Sequence, residues 1–139
     1  MNISIDDHPI LDAVLLHTRW PSPLGQINAP PDFEQWFQMD AASPMPPEQD
    51  IKTHVRDLLR HGGFKPSGRS KPASEYLISA VEKGRLGSIN AAVDCCNVAS
   101  LHSGLPISVI DTGLSNEPWR IGIAQPDTSY VFNPTGQVI

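Results

Sequence analysis

The sequence predicts an α+β fold, with three helices in the middle of the chain and strands after them. Between residues 48 and 103, apolar side chains recur at helical spacing in three stretches that glycine and proline separate. After residue 104 the apolar period changes to two, and turn-forming residues interrupt the chain at short intervals. Helices followed by a run of strands are typical of an α+β domain with an antiparallel sheet or a partial barrel.

Residues 1–50 form an acidic, proline-rich N-terminal segment. They carry eight acids and one base, and seven of the 14 prolines lie between Pro21 and Pro47. The segment offers a first strand over residues 13–20 and a short helix over residues 32–39, whose aromatic side chains share one face. Residues 41–49 predict a loop or linker. We expect this segment to be an extended arm that wraps the following domain.

The three helices have recognisable ends. The first covers about residues 48–61 and stops at Gly62, and the second covers about 72–83 with Pro72 in its first turn. The third covers about 89–103, with Ser88 as its N-cap and Gly104 as its C-cap. The expected buried face of the first helix is Ile51, Val55, Leu58 and Leu59. In the second helix it is Ala73, Tyr76, Leu77, Ala80 and Val81. In the third it is Ile89, Ala92, Val93, Cys96 and Ser100.

Strands are predicted over residues 107–111, 120–124 and 129–133. Turn residues at 112–113, 125–127 and 133–136 separate them, and residues 137–139 begin a further strand. This part of the chain therefore supplies the sheet of the predicted fold.

Length and composition favour one globular domain in the cytoplasm. The chain has 139 residues, of which 40% are hydrophobic and 18% charged. The longest apolar run of the first fifty residues covers only positions 13–16, against the roughly 20 residues of a membrane helix. Asp6 and Asp7 stand where a signal peptide carries Lys or Arg. Cys95 and Cys96 are adjacent, which disulfide geometry disfavours, so we expect free thiols. From the short apolar run we expect no membrane segment.

Positive charge is concentrated in residues 51–85, although the net charge of the whole chain is −5. Eight bases and three acids give that block +5, while residues 1–50 carry −7 and residues 86–139 carry −3. Such asymmetry points to a local anion site on an acidic protein.

The loop between the first two helices is the strongest candidate for chemistry. Lys65, Arg69 and Lys71 supply three cations, Ser67 supplies a hydroxyl, and Gly68 permits close backbone approach. The loop leads into a helix N-terminus, whose unpaired N–H groups and dipole favour anions. Phosphate or an RNA backbone is the ligand that this composition favours, and the alternative is a solvated basic loop. The spacing of a Walker loop is absent, which argues against nucleotide hydrolysis.

Other candidate residues lie on the third helix. Asp94 and Asn97 are three residues apart and share a face, where they either bind a ligand or bond a neighbouring loop. Cys95, Cys96 and His102 lack the arrangement of metal ligands and are better explained as structural residues. We therefore expect no metal and no cofactor.

Two stretches resemble one known family. They are VRDLLRHGGFKPSGRSKPASEYL at Val55–Leu77 and LGSINAAVDCCNVASLHSGLPISVID at Leu86–Asp111. Both are similar to the tRNA-editing B3/B4 domain of the phenylalanyl-tRNA synthetase beta chain, and above all to the small stand-alone proteins that carry this domain alone. With the strands after them, the resemblance covers residues 51–139, about two thirds of the chain.

The resemblance implies a Greek-key β-barrel-like core with about three helices, in a domain over residues 51–139 that lacks the last strands of the family. It also implies the acceptor end of tRNA as partner and hydrolysis of the ester of mischarged aminoacyl-tRNA as activity. The residues that it assigns to RNA or substrate are Lys65, Ser67, Arg69 and Lys71 at the phosphate and terminal ribose, Asp94 and Asn97 at the pocket wall, and Ser108.

Ser108 departs from the family pattern. It occupies the position at which the bacterial synthetases have an editing-site histidine, and a serine cannot replace imidazole as a base near neutral pH. The sequence leaves open whether the protein is an enzyme. The interpretations are a trans-editing aminoacyl-tRNA hydrolase, a non-catalytic RNA- or protein-binding module of the same fold, and a binder of a small anionic metabolite. An unpaired sheet edge would favour a homo-oligomer.

Overall fold

The protein, as a computed structural model, is described over residues 2–44, 46–68, 70–131, 135–136 and 138. Strand β1 (Ile3–Ile5) is followed by helices α1 (Ile51–His61), α2 (Ala73–Glu82) and α3 (Ala91–Ser103) and by strand β2 (Trp119–Ile121). Short 3₁₀ turns lie at Leu24–Gln26, Phe33–Phe37 and Thr112–Leu114. Three helices and a small sheet confirm the predicted α+β class.

The backbone packs into two compact units. One unit combines Met1–Ala13 with Thr112–Ile139, and the other is Val14–Asp111. The predicted boundary between residues 50 and 51 remains a prediction, since these units describe backbone packing and not the limits of the domain that the resemblance implies.

The unit that contains both chain ends is built on a parallel pair of strands. β1 and β2 pair with Ile3 opposite Trp119 and Ile5 opposite Ile121. At the end of the pair, Arg120 donates two hydrogen bonds to the carboxylate of Asp6, at 2.9 Å from Nε and 2.5 Å from Nη2. These hydrogen bonds lower the pKa of Asp6. This pairing is parallel, whereas the sequence predicted an antiparallel sheet or a partial barrel. The two strands are far apart along the chain, so no hairpin turn constrains them to run antiparallel.

Several predicted strands are absent from the described residues. Positions 13–20 and 107–111 have no strand, and the strand predicted over 120–124 is shorter and begins one residue earlier. In the strand predicted over 129–133, Val131 forms an isolated antiparallel bridge with Val138, while Phe132 and Asn133 lie outside the described residues. Alternation alone predicted these strands, and alternation does not specify the hydrogen-bonded neighbour that a strand needs.

The three helices confirm the predicted order, and their ends lie within three residues of the predicted ends. The predicted N-cap of α3 is wrong, because the side chain of Asn90, and not Ser88, accepts the N–H bonds of Ala92 and Val93 at 3.1 Å each. Gly104 is the C-cap as predicted, with a φ of 74°. A Cβ at Gly104 would lie 2.7 Å from Cγ2 of Ile51, so both conformation and space require glycine.

The buried faces agree with prediction best in α1, where Val55 is buried and the other three predicted positions are half-buried. In α2 the prediction is wrong at its first positions, because Ala73 and Tyr76 are exposed and Ser74 is only 4% exposed. In α3 the predicted Ser100 is buried, and Ile89 before the helix is 69% exposed. Apolar character alone therefore misplaced the inward face, since polar side chains occupy part of it.

The arm is anchored on α3 by aromatic and polar contacts. The predicted helix over residues 32–39 is a 3₁₀ turn in which Phe33 and Phe37 pack edge to face at 5.8 Å, with Phe37 buried. His102 of α3 approaches the carbonyl of Trp36 with Nε2 at 2.8 Å and lies edge-on to its ring. Residues 41–44 and 46–49 form no helix or strand, as the loop prediction expected.

Candidate functional site

The basic loop connects α1 to α2 within the unit Val14–Asp111. Pro66 is buried inside it, whereas Lys65, Ser67 and Lys71 are exposed. Arg69, the fourth predicted contact of the loop, lies outside the described residues. The loop therefore presents two described ammonium groups and one hydroxyl to solvent.

Short hydrogen bonds fold the loop into tight turns. The Ser67 N–H donates to the Lys65 carbonyl at 2.8 Å, and the Ser70 N–H donates to the Ser67 carbonyl at 3.0 Å. Gly68 has a φ of 57°, a conformation that suits glycine, and its carbonyl accepts a 3.4 Å bond from the Tyr76 hydroxyl. This last, long bond joins the middle of the loop to α2.

The carboxylate of Glu75, in the first turn of α2, interacts with three neighbouring cations. Arg56 of α1 donates two hydrogen bonds to Glu75 through one edge of its guanidinium, at 2.6 Å from Nε and 2.8 Å from Nη2. Lys52 Nζ lies 3.9 Å from the same carboxylate, and the charge of Lys71 also acts on it. The hydrogen bonds from Arg56 lower the pKa of Glu75, and the same bonds raise the pKa of Arg56.

This ion pair was missed by the sequence reasoning. In the sequence, Arg56 is one of the eight bases and Glu75 one of the three acids of residues 51–85. The two residues are 19 positions apart, and only the packing of α1 on α2 shows that they meet. The available signal was weak: one acid stands among the bases at the end of the loop.

Asp94 is a fully buried carboxylate, with 0% of its surface exposed. It accepts hydrogen bonds from the Ser88 hydroxyl at 2.6 Å and from the Ile89 N–H at 2.8 Å. Both donors belong to the turn before α3, and neither lies in the basic loop. The carboxylate therefore fixes the approach of the chain to α3, which is the second of the two roles that the sequence left open for it.

The other two predicted site residues are not joined to the basic loop by any hydrogen bond among the described residues. Asn97 is half-buried on α3, and Ser108 is exposed in an extended segment after that helix. The structure therefore groups Lys65, Ser67 and Lys71 on one loop and holds Asp94 elsewhere, in a closed polar contact.

A cleft of about 140 Å³ lies among the three helices and next to the carboxylate of Glu75. A cavity of about this size accepts a group as large as a benzene ring. Its walls are mostly apolar, and they also include a charged pair and a hydroxyl. The main lining residues are Met39, Pro47, Ile51, Val55, Ile78 and Leu101, together with Lys52, Ser74 and Glu75.

The cysteines and the remaining titratable groups form no metal site in the described part of the chain, which holds no cluster of three or more His, Cys, Asp or Glu side chains. Cys95 is exposed and Cys96 half-buried, and burial raises the pKa of the Cys96 thiol. Over the same residues, no helix is long and apolar enough to cross a bilayer.

Comparison of the chain with protein-family models, curated proteins and solved structures found no match. The functional interpretation therefore depends on the residues and contacts described above.

Proposed function

We propose that this chain is an RNA-binding domain that binds the acceptor end of tRNA through the basic loop. The observation that carries the proposal is the exposure of Lys65 and Lys71 on a hydrogen-bonded loop that leads directly into the N-terminus of α2. Ammonium groups, serine hydroxyls and unpaired helix N–H groups together suit phosphate oxygens. The first of the two stretches that resemble the editing domain, Val55–Leu77, spans this same loop.

The finer fold in this proposal is the Greek-key barrel-like core that the resemblance implies. Its support is the agreement of the three predicted helices with α1, α2 and α3, which carry most of the two quoted motifs. The apolar cleft beside Glu75 adds space for a small apolar group close to the cationic loop.

Within this proposal the chain is either a trans-editing hydrolase or a non-catalytic module that only binds RNA. Two observations favour the module: Ser108 stands where the family has a histidine, and the Asp94 carboxylate is fully engaged with Ser88 and Ile89. Asp94 is fully buried, so its carboxylate is not exposed to a water molecule in the loop. A basic loop also suits a small anionic metabolite, which would stabilise the protein to heat in the absence of tRNA.

Titration with tRNA at several salt concentrations tests the binding proposal. Each phosphate contact contributes about 0.7–0.9 to the slope of log affinity against log salt. Replacing Lys65→Ala together with Arg69→Ala should lower the slope by about 1.4 and the affinity by about 25-fold near 0.1 M salt. The matched control is Lys83→Ala with Arg85→Ala, which removes the same charge beyond the other end of α2. Binding that is independent of salt, or equal losses in both pairs, would contradict the proposal.

Deacylation of mischarged tRNA separates the hydrolase from the module. The module predicts that the ester is cleaved at the rate of buffer alone while tRNA remains bound. Cleavage above the buffer rate by the natural full chain would instead establish the hydrolase.

A further inference from the structure

We infer that Glu75 limits the affinity of the basic loop for polyanions, because it holds Arg56 in an internal ion pair and so withdraws that guanidinium from phosphate. This inference rests on the proposed function. It adds a statement of which cations in residues 51–85 contact the phosphates of the RNA. The surface that it assigns to phosphate consists of Lys52, Lys65 and Lys71, with Arg69 assigned by sequence alone.

The ion pair occupies the Nε–Nη2 edge of the Arg56 guanidinium and sets a negative charge directly against it. Both Nε and Nη2 donate to the two oxygens of Glu75, in the two-bond geometry that a phosphate would otherwise receive. The side chain of Arg56 is 27% exposed and that of Glu75 only 11%. A phosphate would have to replace a partly buried carboxylate to reach this edge of Arg56. The contact of Arg56 with Glu75 is therefore favoured over a contact with phosphate.

The lysines around the same carboxylate differ from Arg56 in both contact and exposure. Lys52 Nζ is 3.9 Å from Glu75 and its side chain is 66% exposed, so it makes only a loose ion pair. Lys65 and Lys71 are exposed, and neither side chain donates a hydrogen bond to another described residue. These ammonium groups can turn toward a phosphate without breaking a hydrogen bond within the described part of the chain.

Glu75 also lowers the charge of the surface directly. It places one negative charge beside Lys52 and Lys71, within the distance at which their charges already lower the pKa of its carboxyl group. Replacing the carboxylate by an amide removes that charge and releases Arg56. One additional phosphate contact changes the salt slope by about 0.7, which corresponds to about a fivefold gain in affinity near 0.1 M salt.

The experiment compares three variants with the wild type, with tRNA and with inorganic polyphosphate as separate probes. Glu75→Gln releases the guanidinium. Glu82→Gln is the control, because it makes the same change on the same helix about 10 Å away. Arg56→Gln combined with Glu75→Gln removes the pair without changing net charge. Circular dichroism establishes that each variant keeps its helices.

We expect Glu75→Gln to bind both probes about fivefold more tightly, with a salt slope steeper by about 0.7. Glu82→Gln should show a smaller gain, and the double variant should bind like the wild type. If Glu75→Gln loses its helices, the double variant still decides the question: a loss of about fivefold would mean that Arg56 contacts phosphate in the wild type and would overturn the inference.

The two probes distinguish failure of this inference from failure of the proposed function. A gain with polyphosphate and no binding of tRNA by any form would sustain the role of Glu75 and refute the RNA proposal. Binding of tRNA by the wild type with equal affinity in Glu75→Gln and Glu82→Gln would refute the role of Glu75 alone. No binding of either probe would refute both.

Discussion

Replacing Asp94 by alanine should destabilise the helical unit without changing its affinity for tRNA. The carboxylate is completely buried and accepts two hydrogen bonds, at 2.6 Å from the Ser88 hydroxyl and 2.8 Å from the Ile89 N–H. Its removal leaves the Ile89 N–H without this acceptor at the point where the chain enters α3. In the structure, Asp94 therefore stabilises the fold. The resemblance had assigned it to the wall of a binding pocket.

The magnitude follows from the two lost bonds. Hydrogen bonds to a charged group contribute about 1.5–3 kcal/mol each, and the gain from no longer burying a carboxylate offsets part of their sum. We therefore expect the free energy of unfolding to fall by about 2–4 kcal/mol, which for a domain of this size lowers Tm by about 5–15 °C. Ser88→Ala removes only one bond and should cost about 1 kcal/mol.

Urea unfolding followed by circular dichroism measures the effect, with Cys95→Ala as the control. Cys95 is the exposed neighbour of Asp94 on α3, so its replacement should change stability by no more than about 0.5 kcal/mol. A free energy of unfolding for Asp94→Ala that equals the control would refute the structural role. A tenfold loss of tRNA affinity at unchanged stability would instead support a direct role in binding.

Three further outcomes follow from the packing and the charges. Gly104→Ala should lower the free energy of unfolding by about 1–3 kcal/mol in urea titrations, whereas Gly87→Ala, with no neighbour within 4 Å of its Cβ, should be close to neutral; equal effects would contradict the C-cap assignment. The native pKa of Glu75 is lowered, so its ion pair stabilises the protein above the carboxyl's ordinary pKa of 4.5, and this stability is lost as pH falls through the lower native pKa. Glu75→Gln should therefore flatten the acid side of a plot of unfolding free energy against pH. An unchanged slope would contradict the ion pair. A thiol reagent near neutral pH should modify Cys95 faster than Cys96, because the Cys96 thiol is partly buried and its pKa is raised; a fast phase that survives Cys95→Ser would refute this order.

The helices and the basic loop could be predicted from the sequence because their causes are local. The apolar spacing around Val55, the first-turn proline before α2 and the glycine at position 104 all act within a few residues of the element they define. The concentration of bases in residues 51–85 is likewise visible without any structure. These features determined the α+β class and the candidate anion site.

The strands and the polar contacts depend on residues that are distant in sequence. β2 pairs with a strand 116 positions earlier at Ile3–Trp119, and no period-two pattern indicates which segment will be its partner. For the same reason, residues 107–111 have the alternation of a strand, yet the described part of the chain forms no strand there. Strand pairing is a property of two segments, and the sequence of one segment specifies only half of it.

By itself, the sequence determined where positive charge accumulates and which loop presents it. Only the tertiary structure decided which of those charges face solvent, because neutralisation requires a carboxylate within hydrogen-bond distance. Arg56 and Lys65 are equivalent in a count of charges, yet Glu75 holds the first in a two-bond ion pair and the second is exposed on the loop. Each residue's charge follows from the sequence alone. The packing of α1 on α2 brings Arg56 and Glu75 together, and their ion pair neutralises the positive charge of Arg56.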